Sequence, residues 1–353
     1  MSNLTTLPGL VGLLGSGETA TVGGTLFELL AAQGTAPLTV SVLETPAGFE
    51  LNADKVAKRI SDFMLKRLQN YQVHVSQINA RKKDGEFGTN DAKHLETIAD
   101  SQMLYMGAGS PTYAIRQLEN SLVWSGMNVM HLRGSSLAFA SAAVIAISAY
   151  ALPVYEIYKV GDEPYWNRGL NYFGQFGLKL AIIPHWNNTD GGEELDTSRC
   201  FMGQPRFDVL TAQLPDDVKV LGIDEHTGLV MDFENSICRV IGQGSVHLLT
   251  AGLETGLYAK NETFQINELG DFQLPQDLPT GKASERIEKY LHSAAEKEAQ
   301  PEQAPDFVQL LVAERENARR DRDWQRSDEL RLQLEAAGWQ VSDTPSGPVI
   351  GKK

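Results

Sequence analysis

The fold is decided by the stretch Met130-His131-Leu132-Arg133-Gly134-Ser135-Ser136-Leu137-Ala138-Phe139-Ala140. The apolar run 127–132 predicts a buried strand, and the small residues of 138–150 predict a helix packed closely on a sheet. Ser136 would then lie on a sharp strand-to-helix turn, with its hydroxyl lifted above the sheet edge. The alternative is an ordinary turn in which Ser135 or Ser136 caps the helix.

The composition is that of an ordinary globular protein. The 353 residues allow about two domains, and 42% hydrophobic with 22% charged residues are enough to form a full core. We expect no membrane-spanning helix, because no apolar run reaches about 18 residues. The start of the chain lacks the pattern of a signal peptide, and Cys200 and Cys238 are too few for a disulfide framework. These features predict a cytoplasmic protein.

The net charge of −14 argues against a general nucleic-acid-binding surface, because phosphate contacts need clustered Lys and Arg. Any RNA contact would have to be local.

Two glycine-rich loops follow predicted buried strands, Gly15-Ser16-Gly17-Glu18 and Gly107-Ala108-Gly109-Ser110. In an open parallel α/β sheet, ligands bind at the carboxyl ends of the strands. Gly17 and Glu18 of the first loop and Ser110 of the second are therefore candidate substrate-binding residues, although a tight βα turn is the simpler interpretation of the first loop. Backbone N–H groups of the second loop and of Leu137 are candidate donors to an oxyanion, which is what an acyl-transfer site needs.

A nucleophilic serine needs a base and an acid that orients it. His185 follows the apolar strand 178–183 and is the best-placed histidine, with His226 as its competitor. Glu156, which follows the serine helix, is the first choice for the acid. Asp162 and Glu163 are the reserves, and an exposed carboxylate is the alternative for each of the three.

The acidic loop 190–196 does not have the spacing of a calcium site, so we predict no metal. Arg199 and Arg206 come next and could bind a substrate carboxylate, because guanidinium matches carboxylate in a bidentate fashion. The alternative is an ordinary surface ion pair. From Val218 to Thr250, short strands separated by turns predict an antiparallel extension of the sheet.

The segments 222–230 (GIDEHTGLV) and 240–246 (VIGQGSV) are similar to runs of the peptidase E and cyanophycinase family, and the resemblance covers residues 8–250. It implies a serine hydrolase on a class I glutamine amidotransferase-like, flavodoxin-like fold. Ser136 would be the nucleophile, His185 the base and Glu156 the acid. Ala108, Gly109 and Leu137 would form the oxyanion hole.

Two departures from the family pattern bear on function. Leu137-Ala138-Phe139 replaces Ala-Gly-Ala after the nucleophile, which places bulk beside it and puts activity in doubt. Ser110-Pro111 replaces the polar Asn or Gln that the family uses to hold an acidic substrate. Specificity for acidic residues is therefore not expected.

The C-terminal part of the chain predicts a helical hairpin over 305–353, preceded by a linker, 272–304, that contains one polar helix near 284–298. The segments 311–315, 318–324 and 338–347, which ends in Asp-Thr-Pro-Ser-Gly, resemble the C-terminal helical domain of cysteinyl-tRNA synthetase. The resemblance suggests RNA contact through basic side chains. Acidic residues interleave with these, so a packing or protein-binding module is an equal alternative. The four basic residues are Arg315, Arg319, Arg320 and Arg322.

Together these features predict an α/β protein with a flavodoxin-like, mostly parallel sheet in domain 1–271, an antiparallel extension and a small C-terminal helical hairpin. Its function would be cleavage of a peptide or amide bond by Ser136, His185 and Glu156, with no cofactor. The rival hypothesis is a degenerate hydrolase fold that binds a ligand, with a hairpin that contacts tRNA or a protein. The substrate would be a small peptide or amide, and a homodimer is compatible with the sequence.

Overall fold

The computed structural model describes residues 7–299, 304–344 and 347–352. It divides into a large unit, Met1–Tyr290, and a small unit, Leu291–Lys353. Two residues of the Asp-Thr-Pro-Ser-Gly motif, Pro345 and Ser346, lie outside the described residues, as does the N-terminal segment 1–6. None of the helices in the described residues is long and apolar enough to cross a membrane.

The first half of the large unit alternates strands and helices. Its elements are β1 Val11–Leu14, α1 Thr21–Ala31, β2 Thr39–Leu43, α2 Ala53–Arg67, β3 His74–Ile78, α3 His94–Ala99, β4 Met103–Met106, α4 Pro111–Leu118, α5 Leu122–Leu132, β5 Ser136–Ala140 and α6 Ala142–Ala146.

The second half is richer in strands. Its elements are β6 Tyr150–Ala151, a π-helical turn Glu156–Val160, β7 Asn167–Arg168, β8 Leu180–Ile183, α7 Gly203–Thr211, β9 Lys219–Ile223, β10 Thr227–Asp232, β11 Ile237–Gly242, β12 Ser245–Thr250, β13 Leu253–Ala259 and β14 Thr263–Gln265. The start of α8, Lys282–Ala299, completes the unit.

The central sheet has eight strands in the order β14-β11-β10-β1-β5-β4-β2-β3. The five strands from β1 to β3 are parallel, while β10, β11 and β14 add to one edge in antiparallel fashion. Strands β4 and β2 are neighbours, so the loops that follow them meet at the carboxyl edge. The predicted mostly parallel α/β fold with an antiparallel extension is therefore confirmed.

A second sheet of four strands has the order β13-β12-β9-β8. Strands β8 and β9 are parallel, and β12 pairs with β9 in antiparallel fashion. Two predicted strands, β9 and β12, thus belong to this separate sheet rather than to the central one. Because β8 and β9 are parallel neighbours, the loops that follow them begin side by side at one edge of this sheet.

The strand predicted at 127–132 is wrong, because these residues form the end of helix α5. Ser121 is the N-cap of α5 and its side chain accepts a hydrogen bond from the N–H of Trp124, as expected at a helix start. The buried residues Val123, Met127 and Met130 recur at helical spacing. A mostly apolar run of this length fits either element when it is read without its cap.

The helix predicted from Ala138 is wrong at its start, because the strand β5 occupies residues 136–140. All five residues are buried, and β5 is paired with β1 on one side and β4 on the other. Ala138 and Ala140 belong to the same core cluster as Phe27 and Tyr105, whose rings pack edge to face with centroids 5.7 Å apart. Small residues in this strand therefore leave room for large aromatic neighbours.

The small unit contains two helices and a β-hairpin. Helices α9 Asp306–Arg320 and α10 Trp324–Ala336 form the predicted helical hairpin, and β15 Trp339–Thr344 pairs with β16 Gly347–Lys352. Asp323 caps α10 through the N–H of Arg326, and Gly338, at φ +81°, follows its end. The core of the unit is formed by Val308, Val312, Leu334 and Trp339. The division of the chain into 1–271, 272–304 and 305–353 stays a prediction.

An ion pair between a buried guanidinium and a half-exposed carboxylate joins α9 to β15. The Arg315 side chain is only 5% exposed, and it donates to both carboxylate oxygens of Asp343 at 2.9 and 3.0 Å. Arg319 also reaches Asp343, at 3.2 Å. The hydrogen bond from Arg315 lowers the pKa of the Asp343 carboxyl, so the paired form is ionised. This pair fixes the hairpin against the strand and removes Arg315 from the surface.

We expect Asp343→Ala to destabilise the small unit by about 1–2 kcal/mol, below the full range for a hydrogen bond to a charged group, because Asp343 is 46% exposed and solvent screens its charge. Hydrogen exchange of peptides from 306–344 in the full chain measures this. In the wild type, the stability that the Arg315–Asp343 pair contributes should be fully present above the ordinary Asp pKa. It should be lost as the pH falls through the lowered pKa of Asp343. Asp328→Ala, an exposed change of equal charge on α10, is the control. Equal exchange in both variants would contradict the assignment.

Candidate active site

Ser141 lies on the turn between β5 and α6. Its backbone has φ +51° and ψ −116°, a strained conformation for a residue with a side chain. A serine on such a strand-to-helix turn presents its hydroxyl above the sheet edge. Ala142 is the first residue of α6, so its N–H has no partner within the helix.

His185 lies just beyond the end of β8, and its ring joins two other side chains. Its Nε2 is 2.9 Å from the Oγ of Ser141, and its Nδ1 is 3.0 Å from the Oε1 of Glu225. An ionised carboxylate can only accept, so Nδ1 carries the proton and donates to Glu225. The Nε2 is then the acceptor for the Ser141 hydroxyl. These three residues form a continuous hydrogen-bonded chain.

Glu225 follows β9, next to the strand that carries His185. Its carboxylate also accepts a hydrogen bond from the side-chain amide of Asn188 at 3.0 Å, and its own N–H donates to Asn187 at 2.8 Å. The side chains of His185 and Glu225 are 19% and 29% exposed. The carboxylate is therefore held in place from two directions while the site stays open to solvent.

Backbone contacts bring the strand ends of the two sheets together. The N–H of His185 donates to the carbonyl of Gly15 at 3.3 Å, and the N–H of Trp186 donates to the carbonyl of Ile223 at 3.1 Å. The Trp186 ring lies over Gly222, where an added Cβ would be 2.4 Å from the ring. Only glycine at 222 therefore allows Trp186 to pack there and fix the neighbouring histidine.

The loop after β4 lies beside Ser141. The carbonyl of Gly107 accepts from the N–H of Ala143 at 3.2 Å, which ties this loop to the first turn of α6. Gly109 has φ +144°, and an added Cβ would be 2.0 Å from the carbonyl oxygen of Pro46 in the loop after β2. The N–H of Ser110 donates to that same carbonyl at 2.9 Å. The loop after β4 is thus held in place by the loop after β2.

Several residues of this site have a strained backbone with positive φ. His185 has φ +51°, and the three consecutive residues Arg199, Cys200 and Phe201 have φ +56°, +58° and +69°. Each such non-glycine residue costs about 1–2 kcal/mol. Hydrogen bonds to the histidine segment hold the turn: the N–H of Arg199 donates to the Trp186 carbonyl at 2.8 Å, and that of Cys200 to the His185 carbonyl at 3.2 Å. The turn and the histidine therefore support each other.

A cavity of about 350 Å³ opens beside the Ser141 hydroxyl. Gly109, Ser141 and His185 lie on its wall, together with residues of the π-helical turn and of the strained turn 199–201. This volume is in the range of pockets that bind small molecules. The hydrogen-bonded chain of Ser141, His185 and Glu225 thus faces a space where a substrate could sit.

The prediction that Ser136 is the nucleophile is wrong. This residue is the first of β5, 1% exposed, and its N–H donates to the carbonyl of Gln102. The five-residue strand places it about 16 Å from Ser141, at the opposite edge of the sheet. Ser135 is also buried, and its hydroxyl donates to the Ser101 carbonyl. Leu137 cannot hold an oxyanion, because its N–H donates to the carbonyl of Leu10 in the β1–β5 ladder.

Glu156, the predicted acid, does not contact His185, whose Nδ1 is bonded to Glu225. It starts the π-helical turn, and its Oε2 is buried without a hydrogen-bond partner in the described part of the chain. The reserves Asp162 and Glu163 are exposed. The competing histidine, His226, is exposed as well, and its N–H donates to Ser16.

The predicted substrate-binding residues have other partners. Arg199 stacks on the Trp186 ring, with its guanidinium carbon 4.0 Å from the ring centroid. Ser110 caps α4 by accepting from the N–H of Tyr113. The carbonyl of Gly17 accepts from two N–H groups in a tight turn, and Glu18 lines a separate cavity of about 30 Å³. None of the four lines the cavity at Ser141 among the described residues, whereas Gly109 does and Ala108 precedes it.

A second group of charged side chains contacts Trp186. The His247 ring stacks on it with centroids 5.2 Å apart, its Nδ1 is 2.7 Å from Glu254 and its Nε2 is 3.4 Å from Asp224. Burial alone would lower the pKa of His247, but the two carboxylates raise it above the ordinary value. Asp224 directly precedes Glu225, so this cluster adjoins the carboxylate that is hydrogen-bonded to His185. In residues 7–299, 304–344 and 347–352, no three His, Cys, Asp or Glu side chains are grouped to hold a metal ion.

No family model matches the chain. The solved structure of a peptidase from an acI-B1 Actinobacterium superposes with a TM-score of 0.58 and 22% sequence identity, covering 73% of this chain and 97% of that chain. The chain shares the fold of this peptidase. At this level of identity the likeness establishes the architecture alone.

Short matches to cysteine–tRNA ligases concern the C-terminal segment. The ligase of Rubrobacter xylanophilus is 45% identical over 51 residues, which is 14% of this chain and 11% of that enzyme. The ligase 1 of Burkholderia lata is 46% identical over 43 residues, 12% of this chain and 9% of that enzyme. The chain spans about a tenth of the length of these relatives.

The sequence contained signals for both missed residues. Ser141 is followed by Ala142 and Ala143, small residues that fit the family's Ser-Ala-Gly run, whereas the bulk of Leu137 beside Ser136 did not fit. Glu225 lies inside GIDEHTGLV, the segment quoted for the family resemblance.

We expect Gly109→Ala to lower the free energy of unfolding by about 1–3 kcal/mol more than Gly192→Ala, because overpacking adds to backbone strain. Both glycines have positive φ, but a Cβ at 192 meets nothing within 4 Å, whereas one at 109 meets the Pro46 carbonyl at 2.0 Å. Urea denaturation of the two variants measures the difference. Equal losses would show that the loop after β4 is not braced as described.

Proposed function

We propose that the chain is a serine hydrolase that cleaves a peptide or amide bond, with Ser141 as nucleophile, His185 as general base and acid, and Glu225 as the orienting acid. The observation that carries the proposal is the chain of two hydrogen bonds, 2.9 and 3.0 Å long, ending on a serine in a strained strand-to-helix turn. A nucleophile, a base and an orienting group in this order are the elements of a catalytic triad.

The proposed reaction follows from the positions of these groups. The Oγ of Ser141 forms a bond to the carbonyl carbon while its proton passes to the Nε2 of His185. The N–H groups of Ala142 and of the loop 107–109 would hold the oxyanion. The C–N bond then breaks, and the proton moves from His185 to the leaving nitrogen. Water then attacks the acyl carbon and gives a proton to His185. The bond between the acyl carbon and Ser141 Oγ breaks, and His185 returns a proton to that oxygen.

Glu225 would act on His185 and not on the substrate. Its hydrogen bond keeps the proton on Nδ1, which leaves Nε2 free to accept, and its charge stabilises the imidazolium that forms during transfer. Asn188 and Asn187 hold Glu225 in the orientation this requires. The shared fold with the actinobacterial peptidase supports peptide bonds as the substrate class.

We expect a fluorophosphonate probe to label the full chain at Ser141, since Oγ would displace fluoride from phosphorus. Mass spectrometry of the labelled peptide identifies the site, and Ser141→Ala should abolish labelling. Ser136→Ala, which changes a buried serine at the other end of β5, is the matched control and should keep it. Glu225→Gln should slow labelling by about 100-fold or more, because the favoured tautomer of His185 is lost.

Absence of labelling by several probes in the folded protein would contradict the hydrolase. It would favour the second hypothesis made from the sequence, a ligand-binding protein on a degenerate hydrolase fold. Labelling that persists in Ser141→Ala would assign the nucleophile elsewhere.

A second candidate function concerns the small unit: binding of tRNA. Its likeness to cysteine–tRNA ligases supports this, and so do two exposed arginines, Arg320 and Arg322, at the turn between α9 and α10. Trp324 is 58% exposed beside them, with the Arg319 guanidinium 6.0 Å from its ring centroid. Exposed cations with an aromatic ring are suited to phosphate contact and base stacking. Arg315 is excluded, because it is buried against Asp343.

We expect tRNA to bind the full chain in a salt-dependent manner, and Arg320→Glu/Arg322→Glu to weaken it at least tenfold with a salt slope smaller by about 2. Fluorescence anisotropy at several salt concentrations measures both. Arg59→Glu/Arg206→Glu, two exposed arginines of the large unit, gives the same change in net charge as a control. Unchanged binding in the first variant, or no binding at all, would favour a protein partner for the hairpin.

A further inference from the structure

The cavity beside Ser141 has an apolar interior. Its wall includes Ile145 and Val154, both less than 10% exposed, and the aromatic rings of Tyr155, Tyr158 and Phe201. The Tyr158 and Phe201 rings face each other with centroids 5.2 Å apart. Pockets of this kind bind by burial of apolar surface, with a few polar groups that orient the ligand.

Charged groups lie at the rim of the cavity. Among the described residues that line it, Lys159 is the basic member apart from His185 and Asp190 is the acidic member, and both are exposed. The Lys159 ammonium lies 4.5 Å from the centroid of the Tyr158 ring, so it already has a cation–π partner. Cys200, the remaining candidate for a charge, is buried, and burial raises the pKa of its thiol to about 12. The thiol therefore adds to the apolar wall.

The strained turn 199–201 positions the aromatic part of this wall. Its left-handed backbone is held by hydrogen bonds to His185 and Trp186, and the N–H of Phe201 donates to the Thr197 carbonyl at 2.9 Å. The Phe201 ring then stands between His185, 6.3 Å away, and Tyr158. Strain of this kind persists where the surrounding structure determines it, and here it places a ring next to the reacting groups.

We propose that this cavity is the subsite for a large apolar side chain, aromatic or branched aliphatic, on the acyl part of the substrate. We assign it to the acyl part because Ala142 and Ile145, on the helix that begins directly after Ser141, line the cavity. An acidic side chain would lose its hydration there and find no buried cation. The inference rests on the proposed function, since it names the substrate class of the same site.

The test compares amino acid p-nitroanilides that share one leaving group and differ in the acyl residue. We expect kcat/KM for Phe and Leu to exceed that for Ala by about 10- to 150-fold, the range for complete burial of such a side chain. Asp should be poorer than Ala. Equal values for all residues, or a preference for Asp, would overturn the inference.

Variants of the wall sharpen this test. Phe201→Ala should reduce the ratio of Phe to Ala kcat/KM at least fivefold. Tyr155→Ala should reduce it in the same direction, and because Tyr155 is 45% exposed this change leaves the core intact. Val160→Ala, 74% exposed and outside the cavity wall, is the matched control and should leave the ratio unchanged. An unaltered ratio in both wall variants would overturn the inference.

A binding measurement separates this inference from the hydrolase proposal. In Ser141→Ala, N-acetyl-phenylalanine amide should bind in a calorimetric titration at least tenfold more tightly than N-acetyl-aspartate amide. If the probe labels Ser141 but the phenylalanine amide does not bind more tightly than the aspartate amide, the subsite is overturned and the hydrolase proposal stands. The preference without labelling would support the subsite and overturn the catalytic role of Ser141.

Discussion

The site depends on the hydrogen bond between Ser141 Oγ and His185 Nε2, because it joins residues carried by two different sheets. Ser141 follows β5 of the central sheet, and His185 follows β8 of the second sheet. The carbonyl of Gly15, at the end of β1, accepts from the backbone of His185 and so links the two. A shift of either sheet would break the serine–histidine contact first, since a hydrogen bond weakens steeply with distance and angle.

Backbone strain and side-chain packing both act on the residues that position Ser141 and His185. Ser141, His185 and the turn 199–201 all have positive φ, and each is held by hydrogen bonds to a neighbouring strand end. Trp186 packs on Gly222 on one side of this arrangement and contacts Arg199 and His247 as well. The conformational strain near the cavity is therefore offset by packing that lies behind it, and the apolar wall and the histidine are positioned by the same contacts.

Much of this arrangement could be predicted from the sequence. The strand ends that carry glycine loops and His185 are marked by apolar runs followed by turn residues, which specify a parallel sheet and its carboxyl edge. The region 127–146 could not be assigned in the same way, because a buried helix and a buried strand are both apolar and only the cap at Ser121 distinguishes them. Glu156 is close to the serine helix in sequence, which favours it as the acid when the sequence alone is considered. Glu225 is adjacent in space because β9 pairs with β8, a long-range pairing that no local pattern shows.

The small unit shows how a sequence likeness can concern packing rather than binding. Arg315 and Asp343 both lie in the segments that resemble the tRNA synthetase domain, and the structure joins them in an ion pair that ties α9 to β15. Their presence therefore follows from the fold of the unit, whether or not it binds RNA. Arg320 and Arg322 make no comparable contribution to the core, since both are exposed at the turn. Any recognition by this unit must come from such exposed residues, so their charge, and not the buried pair, is the property on which a binding function would depend.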